Sequence, residues 1–92
     1  MKAGVMYLAK LYHETMSMGR WRFIHAQIDP NGEGSEHLKW MIDQLVENGR
    51  SWPVGKSNRW LGYIQCLLVS LGVYDLATIR AQSKEAFREE EA

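Results

Sequence analysis

Cysteine is all but missing from this chain. Cys66 stands alone among 92 residues, so an internal disulfide is impossible and a thiolate metal cluster is not expected, as suits a reducing cytoplasm. Net charge is missing as well: eleven basic and eleven acidic side chains cancel, which removes bulk attraction to nucleic acid, membranes or polyanions. No long apolar run exists. The opening stretch MKAGVMYLAKLYHE is broken by Lys10, so neither a signal peptide nor a membrane span is expected. Internal repeats and low-complexity segments are lacking too. Serine and aspartate form no nucleophile elbow and the glycines form no phosphate-cradling loop, which leaves no enzyme signature and no cofactor to expect.

What is present is apolar and aromatic. A 46% hydrophobic content with four Trp, four Tyr and two Phe is enough for a packed core, which a disordered chain would lack. Residues 1–92 suit a single helical domain near the lower size limit for a core without metal or disulfide help. The expected fold is all-α, a compact bundle of about four helices.

The clearest helix follows the turn-rich DPNGEGS. Ser35 is placed to cap it, and Leu38, Met41, Ile42, Leu45 and Val46 fall at i, i+3, i+4, i+7 and i+8. Gly49 is expected to end it in the left-handed conformation. Pro53 suits the start of the next helix, whose Leu61, Ile64, Leu68 and Leu71 share one face, with Trp60 and Leu67 flanking and Gly72 placed as the terminal cap. Asp75 is a good N-cap for a last helix with Leu76, Ile79, Ala86 and Phe87 on one side; its acidic end, residues 88–92, sits at the unfavourable pole of the helix dipole and is expected to fray. At the front, Val5, Leu8, Tyr12 and Met16 mark a helix. Residues 19–28 read as helix in preference to strand, since no strand of comparable quality exists to pair with them. Charge alternates between segments, four bases and one acid over 1–28, one and five over 29–49, three and none over 50–72, three and five over 73–92. Antiparallel neighbours would bring opposite signs together, though each exposed pair contributes only about 0–1 kcal/mol.

Within KSNRWLGYIQCLL, Gly62 sits in the middle of an otherwise strong helix at a cost of roughly 0.5–1 kcal/mol relative to alanine. Cys66 and Ser70 follow at intervals of four, so Gly62, Cys66 and Ser70 form a small-residue edge on which a second helix can lie closely. That second helix is either another helix of the same chain or the same helix of a second subunit in a homodimer. Either way this becomes the expected central helix, and Cys66 is expected to be a packed thiol in the core or an interface.

The pair HLKWMIDQL and KSNRWLGYIQCLLVSLGVYDLATIR resembles a group of small proteins encoded by bacteriophages and prophages, in which a His-Leu-x-Trp-Met helix precedes a Lys-x-x-Arg-Trp-Leu-Gly-x-x-Gln helix. The resemblance covers about residues 34–80. It implies a phage accessory role without catalysis, exerted in the bacterial host cytoplasm on a macromolecular partner such as a host protein or a component of host defence. Cys66 stands where a second glycine is expected.

Other sites are weaker. Asp29, Asn31, Glu33 and Gly34 match the first half of an EF-hand loop, but the twelfth position is Trp40, not a bidentate carboxylate. His13, His25 and His37 lack the i, i+4 spacing of a helical zinc pair, so no metal is expected. Arg20, Trp21 and Arg22, and again Lys56, Arg59 and Trp60, are basic-aromatic clusters that can neutralise phosphates and stack bases, which makes nucleic-acid binding the second function to consider. The simpler reading has the cations lying over their tryptophans at helix ends. A helix-turn-helix around Gly72 and Ile79 is one residue out of register with the usual motif.

Overall fold

The structure is a computed structural model that describes residues 3–17 and 33–91, with the side chains of 33 and 89–91 left aside. The described residues form four helices and no strand: α1 (Ala3–Ser17), α2 (Glu33–Asn48), α3 (Val54–Ser70) and α4 (Leu76–Glu91). The fold is all-α, as the periodicity predicts. The stretch 19–28, whose helix is expected from sequence, lies outside the described residues.

Each apolar stripe turns inward. Val5, Leu8, Tyr12 and Met16 of α1, Leu38, Met41, Ile42 and Leu45 of α2, Leu61, Ile64, Leu68 of α3 and the adjoining Leu71, and Ile79 of α4 make one buried core. Val46, Trp60, Leu67, Ala86 and Phe87 are partly buried around it. Leu76 departs from the expected pattern. It occupies the first position of α4, before that helix has reached the core, and is 53% exposed.

The centre of the bundle is α1, not α3. Its most extensive contacts are with α4 on one side and α2 on the other, α3 packs chiefly on α2, and α3 and α4 touch only lightly. The close approach that a helical glycine permits occurs here, at Gly4. A Cβ on Gly4 would lie 2.7 Å from Phe87 Cδ1 and 2.9 Å from the Ala86 carbonyl oxygen, so α4 sits almost on the α1 backbone. Polar groups tie the same helices together. Tyr12 is fully buried; its hydroxyl donates to Gln82 Oε1 at 3.0 Å and accepts from Gln65 Nε2 at 3.2 Å, and Gln65 Nε2 also donates to Ser83 Oγ at 2.9 Å. Thr15 Oγ1 donates to the Leu11 carbonyl, so the Tyr74 hydroxyl, 2.6 Å away, is the donor in the Tyr74–Thr15 pair. Burial holds the Tyr12 phenol above its ordinary pKa, against a lowering by the Gln65 hydrogen bond, which keeps the network neutral.

The helix ends show which local expectations hold. Gly72 has φ 77°, its N–H donates to the Val69 carbonyl and that of Val73 to the Leu68 carbonyl, a Schellman termination of α3. Pro53 precedes the first turn of α3 and accepts the Ser57 N–H at 3.1 Å. Two expectations at α2 fail. The helix starts at Glu33, two residues ahead of Ser35, which is buried in the first turn and is not the residue before the helix. Gly49 is not left-handed, since Gly72 alone among the described residues has positive φ. Its role is space: a Cβ would lie 2.5 Å from the Leu45 carbonyl oxygen and 3.1 Å from Met6 Sδ.

Asp75 caps α4 as expected, accepting the Thr78 N–H at 2.7 Å. The Thr78 side chain and then its backbone N–H hold the exposed carboxylate below its ordinary pKa. A depressed carboxylate contributes stability above the ordinary carboxylate range and loses it as pH falls through the lowered value. Asp75→Asn keeps a cap that does not titrate. The stability advantage of the parent over this variant should therefore be constant above that range and shrink in acid; an advantage independent of pH would refute the assignment. Among charges between helices, His13 Nε2 lies 3.4 Å from Asp43 Oδ1, joining α1 to α2 as an ion pair when the imidazole is protonated; both side chains are half exposed, so its contribution is small.

Candidate interaction surface

Where α2 and α3 run side by side, their outer rims carry aromatic residues. On α2, His37, Trp40 and Met41 fall at i, i+3 and i+4; on α3, Arg59, Trp60 and Tyr63 occupy the facing positions. These six line an open groove of about 370 Å³. Its rings touch in series: Trp40 and Trp60 centroids are 5.8 Å apart, His37 stacks on Trp40 at 5.9 Å with 21° between planes, and Tyr63 meets His37 edge-on at 6.4 Å. Trp40 and Tyr63 are 52% and 53% exposed, a large apolar area left in water by two residues that ordinarily bury much of their surface.

The loop before α3 supports this face. Trp52 packs against Trp60 with centroids 4.7 Å apart, and Lys56 Nζ lies 4.3 Å from the Trp52 ring centroid, a cation–π contact. Ser57, fully buried, donates to the Gly49 carbonyl at 2.8 Å and pins the turn on which Trp52 is carried. A larger hollow of about 530 Å³ lies against Ala3, Met6, Tyr7, Lys10 and Arg50. It offers a single aromatic ring, so the smaller groove has the richer chemistry.

The small-residue edge is on the surface. Gly62, Cys66 and Ser70 are all exposed, and a Cβ built on Gly62 meets nothing within 4 Å. None of the described helices rests there, so α1, α2 and α4 are not the intramolecular partner, and the exposed Cys66 is not a thiol packed in the core. Tyr63 follows Gly62 by about 100° around the helix, so the edge and the groove adjoin. Of the two basic-aromatic clusters, Lys56, Arg59 and Trp60 stand at this surface, with Arg59 in the groove lining. Arg20, Trp21 and Arg22 lie outside the described residues. Ile79 is buried and so presents nothing to a DNA groove, which removes the helix-turn-helix reading.

The histidines are dispersed. His13 faces Asp43 and His37 stacks on Trp40, while His25, Asp29 and Asn31 lie outside the described residues. Among the described residues no group of three or more His, Cys, Asp or Glu is placed to hold a metal ion, and no helix is long and apolar enough to cross a membrane.

Sequence reasoning missed Trp40 and Tyr63 as surface residues, whereas His37 is exposed in the first turns of α2, as its place in the sequence implies. The signal was present: Trp40 and Tyr63 are large aromatic rings falling just outside the stripes Leu38–Met41–Ile42–Leu45 and Leu61–Ile64–Leu68–Leu71. A bulky ring beside a stripe, not within it, marks a rim. Fold and surface together define a small helical protein with an aromatic face. Compared with known proteins, the chain matches no family model, no curated protein and no solved structure.

Proposed function

We propose that this chain is a non-catalytic binding protein that holds a macromolecular partner through the α2–α3 aromatic face. The exposure of Trp40 and Tyr63 across the groove, with Arg59 in the same lining, carries the reading. Trp, Tyr and Arg are the residue types that dominate binding energy at protein interfaces. Taken with the resemblance to phage and prophage proteins, the reading makes the partner a host protein, a component of host defence being one version, met in the bacterial cytoplasm. Replacing Tyr63 with a photoreactive phenylalanine analogue and irradiating in host lysate should give one discrete adduct that is lost with Trp40→Ala. A smear insensitive to Trp40→Ala would count against the face.

Self-association belongs to the same proposal. Gly62, Cys66 and Ser70 form a shelf on which α3 of a second copy can lie, giving a homodimer in which the helix cost of Gly62 is offset by close packing. Because a Cβ at 62 meets nothing within 4 Å among the described residues, Gly62→Leu should leave the monomer folded and shift light scattering from dimer to monomer mass. A parent protein that is monomeric throughout, or a variant that stays dimeric, would remove the shelf from the interface.

A second reading is single-stranded nucleic acid. Arg59 lines the ring-walled groove, Lys56 stands nearby, and residues 50–72 hold no acid. Phosphate contacts weaken steeply with salt, so oligonucleotide anisotropy at low and moderate ionic strength tests it. Absence of binding at low salt would eliminate this reading.

A further inference from the structure

We infer that the α2–α3 groove receives one face of an acidic amphipathic helix from another protein; the inference rests on the binding reading above and names its ligand. Three observations converge. First, the groove runs between two helices and is walled by Trp40, Trp60 and Tyr63 over Met41, a lining that takes apolar side chains projected from one side of a helix. Second, its formally charged group is Arg59, and no carboxylate is among the lining residues. A carboxylate on the ligand about one turn from its apolar anchor can pair with that guanidinium, and the planar fork suits the geometry. A cationic ligand, for which an aromatic enclosure is otherwise suited, would meet Arg59 as a like charge. Third, α3 itself adds Lys56, one turn before Arg59, and carries no acid, so the charged side chains on the α3 wall are all cationic.

The same charges argue against the other two occupants. A second copy using this face would form an isologous contact, in which the lining meets itself and Arg59 approaches its own symmetry mate without an acid between them. Nucleic acid gains affinity in proportion to the phosphates neutralised, and a lining with one arginine on a chain of zero net charge neutralises few. A peptide needs one carboxylate.

The test uses the full chain and fluorescein-labelled synthetic helical peptides with a leucine-phenylalanine face flanked by Glu, Gln or Lys, titrated by anisotropy. The Glu-flanked peptide should bind about three- to fivefold more tightly than the Gln-flanked one, the range of a partly exposed ion pair, and the Lys-flanked peptide most weakly. Arg59→Gln should abolish the Glu-over-Gln preference, and Trp40→Ala should weaken all three by about tenfold, with circular dichroism melts confirming that both variants fold. Equal binding of the Glu and Gln peptides, still sensitive to Trp40→Ala, overturns the acidic ligand while leaving the face as a docking site. Binding of no peptide overturns the inference outright. Labelled oligothymidylate in the same titration and light scattering of Trp40→Ala then show whether nucleic acid or a second copy takes the groove.

Discussion

Tyr12→Ala is expected to lower the unfolding free energy by about 3–5 kcal/mol, the usual consequence of emptying a large aromatic site. Against a total of about 5–15 kcal/mol for a domain of this kind, that is a large share. The size follows from position. Tyr12 is fully buried on the helix that contacts all the others, its ring lies 6.0 Å from that of Tyr74, and its hydroxyl sits between Gln65 of α3 and Gln82 of α4. Tyr12→Phe separates the contributions. It keeps the ring, removes the hydroxyl and strands the Gln82 acceptor, at a cost of about 1–3 kcal/mol. Urea unfolding with an unchanged m value measures both. Equal losses for the two variants would mean that the ring contributes nothing and the core is placed wrongly. The pH dependence has a definite sign as well. Burial raises the phenol's pKa in the folded state, so the associated stability is complete below the ordinary tyrosine value and is lost as pH rises through the raised one; Tyr12→Phe should abolish that alkaline loss.

The same substitution at two helical glycines should have opposite effects. Gly4→Ala drives a methyl group to within 2.9 Å of the Ala86 carbonyl oxygen and 2.7 Å of Phe87, and a backbone atom cannot swing aside. A loss of about 1–3 kcal/mol is expected from overpacking. Gly62→Ala places its methyl where nothing lies within 4 Å among the described residues, so helix propensity acts there and the monomer should gain roughly 0.5–1 kcal/mol. Thermal melts resolve the contrast, since each kcal/mol moves the midpoint by about 4–8 °C in a domain of this size. If the dimer shelf is real, the gain at Gly62 should turn into a loss at high protein concentration, where the dimer dominates. Two losses at low concentration would contradict the open position of Gly62, and two gains the crowded position of Gly4.

Much of the fold was legible because its determinants are local. The i, i+3, i+4 spacing of Leu38, Met41, Ile42 and Leu45 needs only helix geometry to define a buried stripe. Asp75 and Gly72 act through hydrogen bonds within a few residues of themselves. The hub was not legible. All four segments carry an apolar face, and which one touches most neighbours depends on how the faces are shared out in space. Gly49 was placed correctly at a helix end and assigned the wrong reason. A left-handed turn and a crowded Cβ both select glycine, and the Met6 sulfur that adds to the crowding is 43 positions away in the chain.

The sequence by itself determined the all-α fold, the stripes and the two caps, since each depends on the identity of residues within a turn or two. Tertiary structure alone decided that Gly4 and not Gly62 is the close-approach glycine, that Cys66 faces solvent, and that His37, Trp40, Arg59 and Tyr63 converge on one groove. The physical reason is the same in each case. Steric clearance and ring stacking fall off within a few ångströms, so they are set by which helix lies alongside, and sequence periodicity describes one helix at a time.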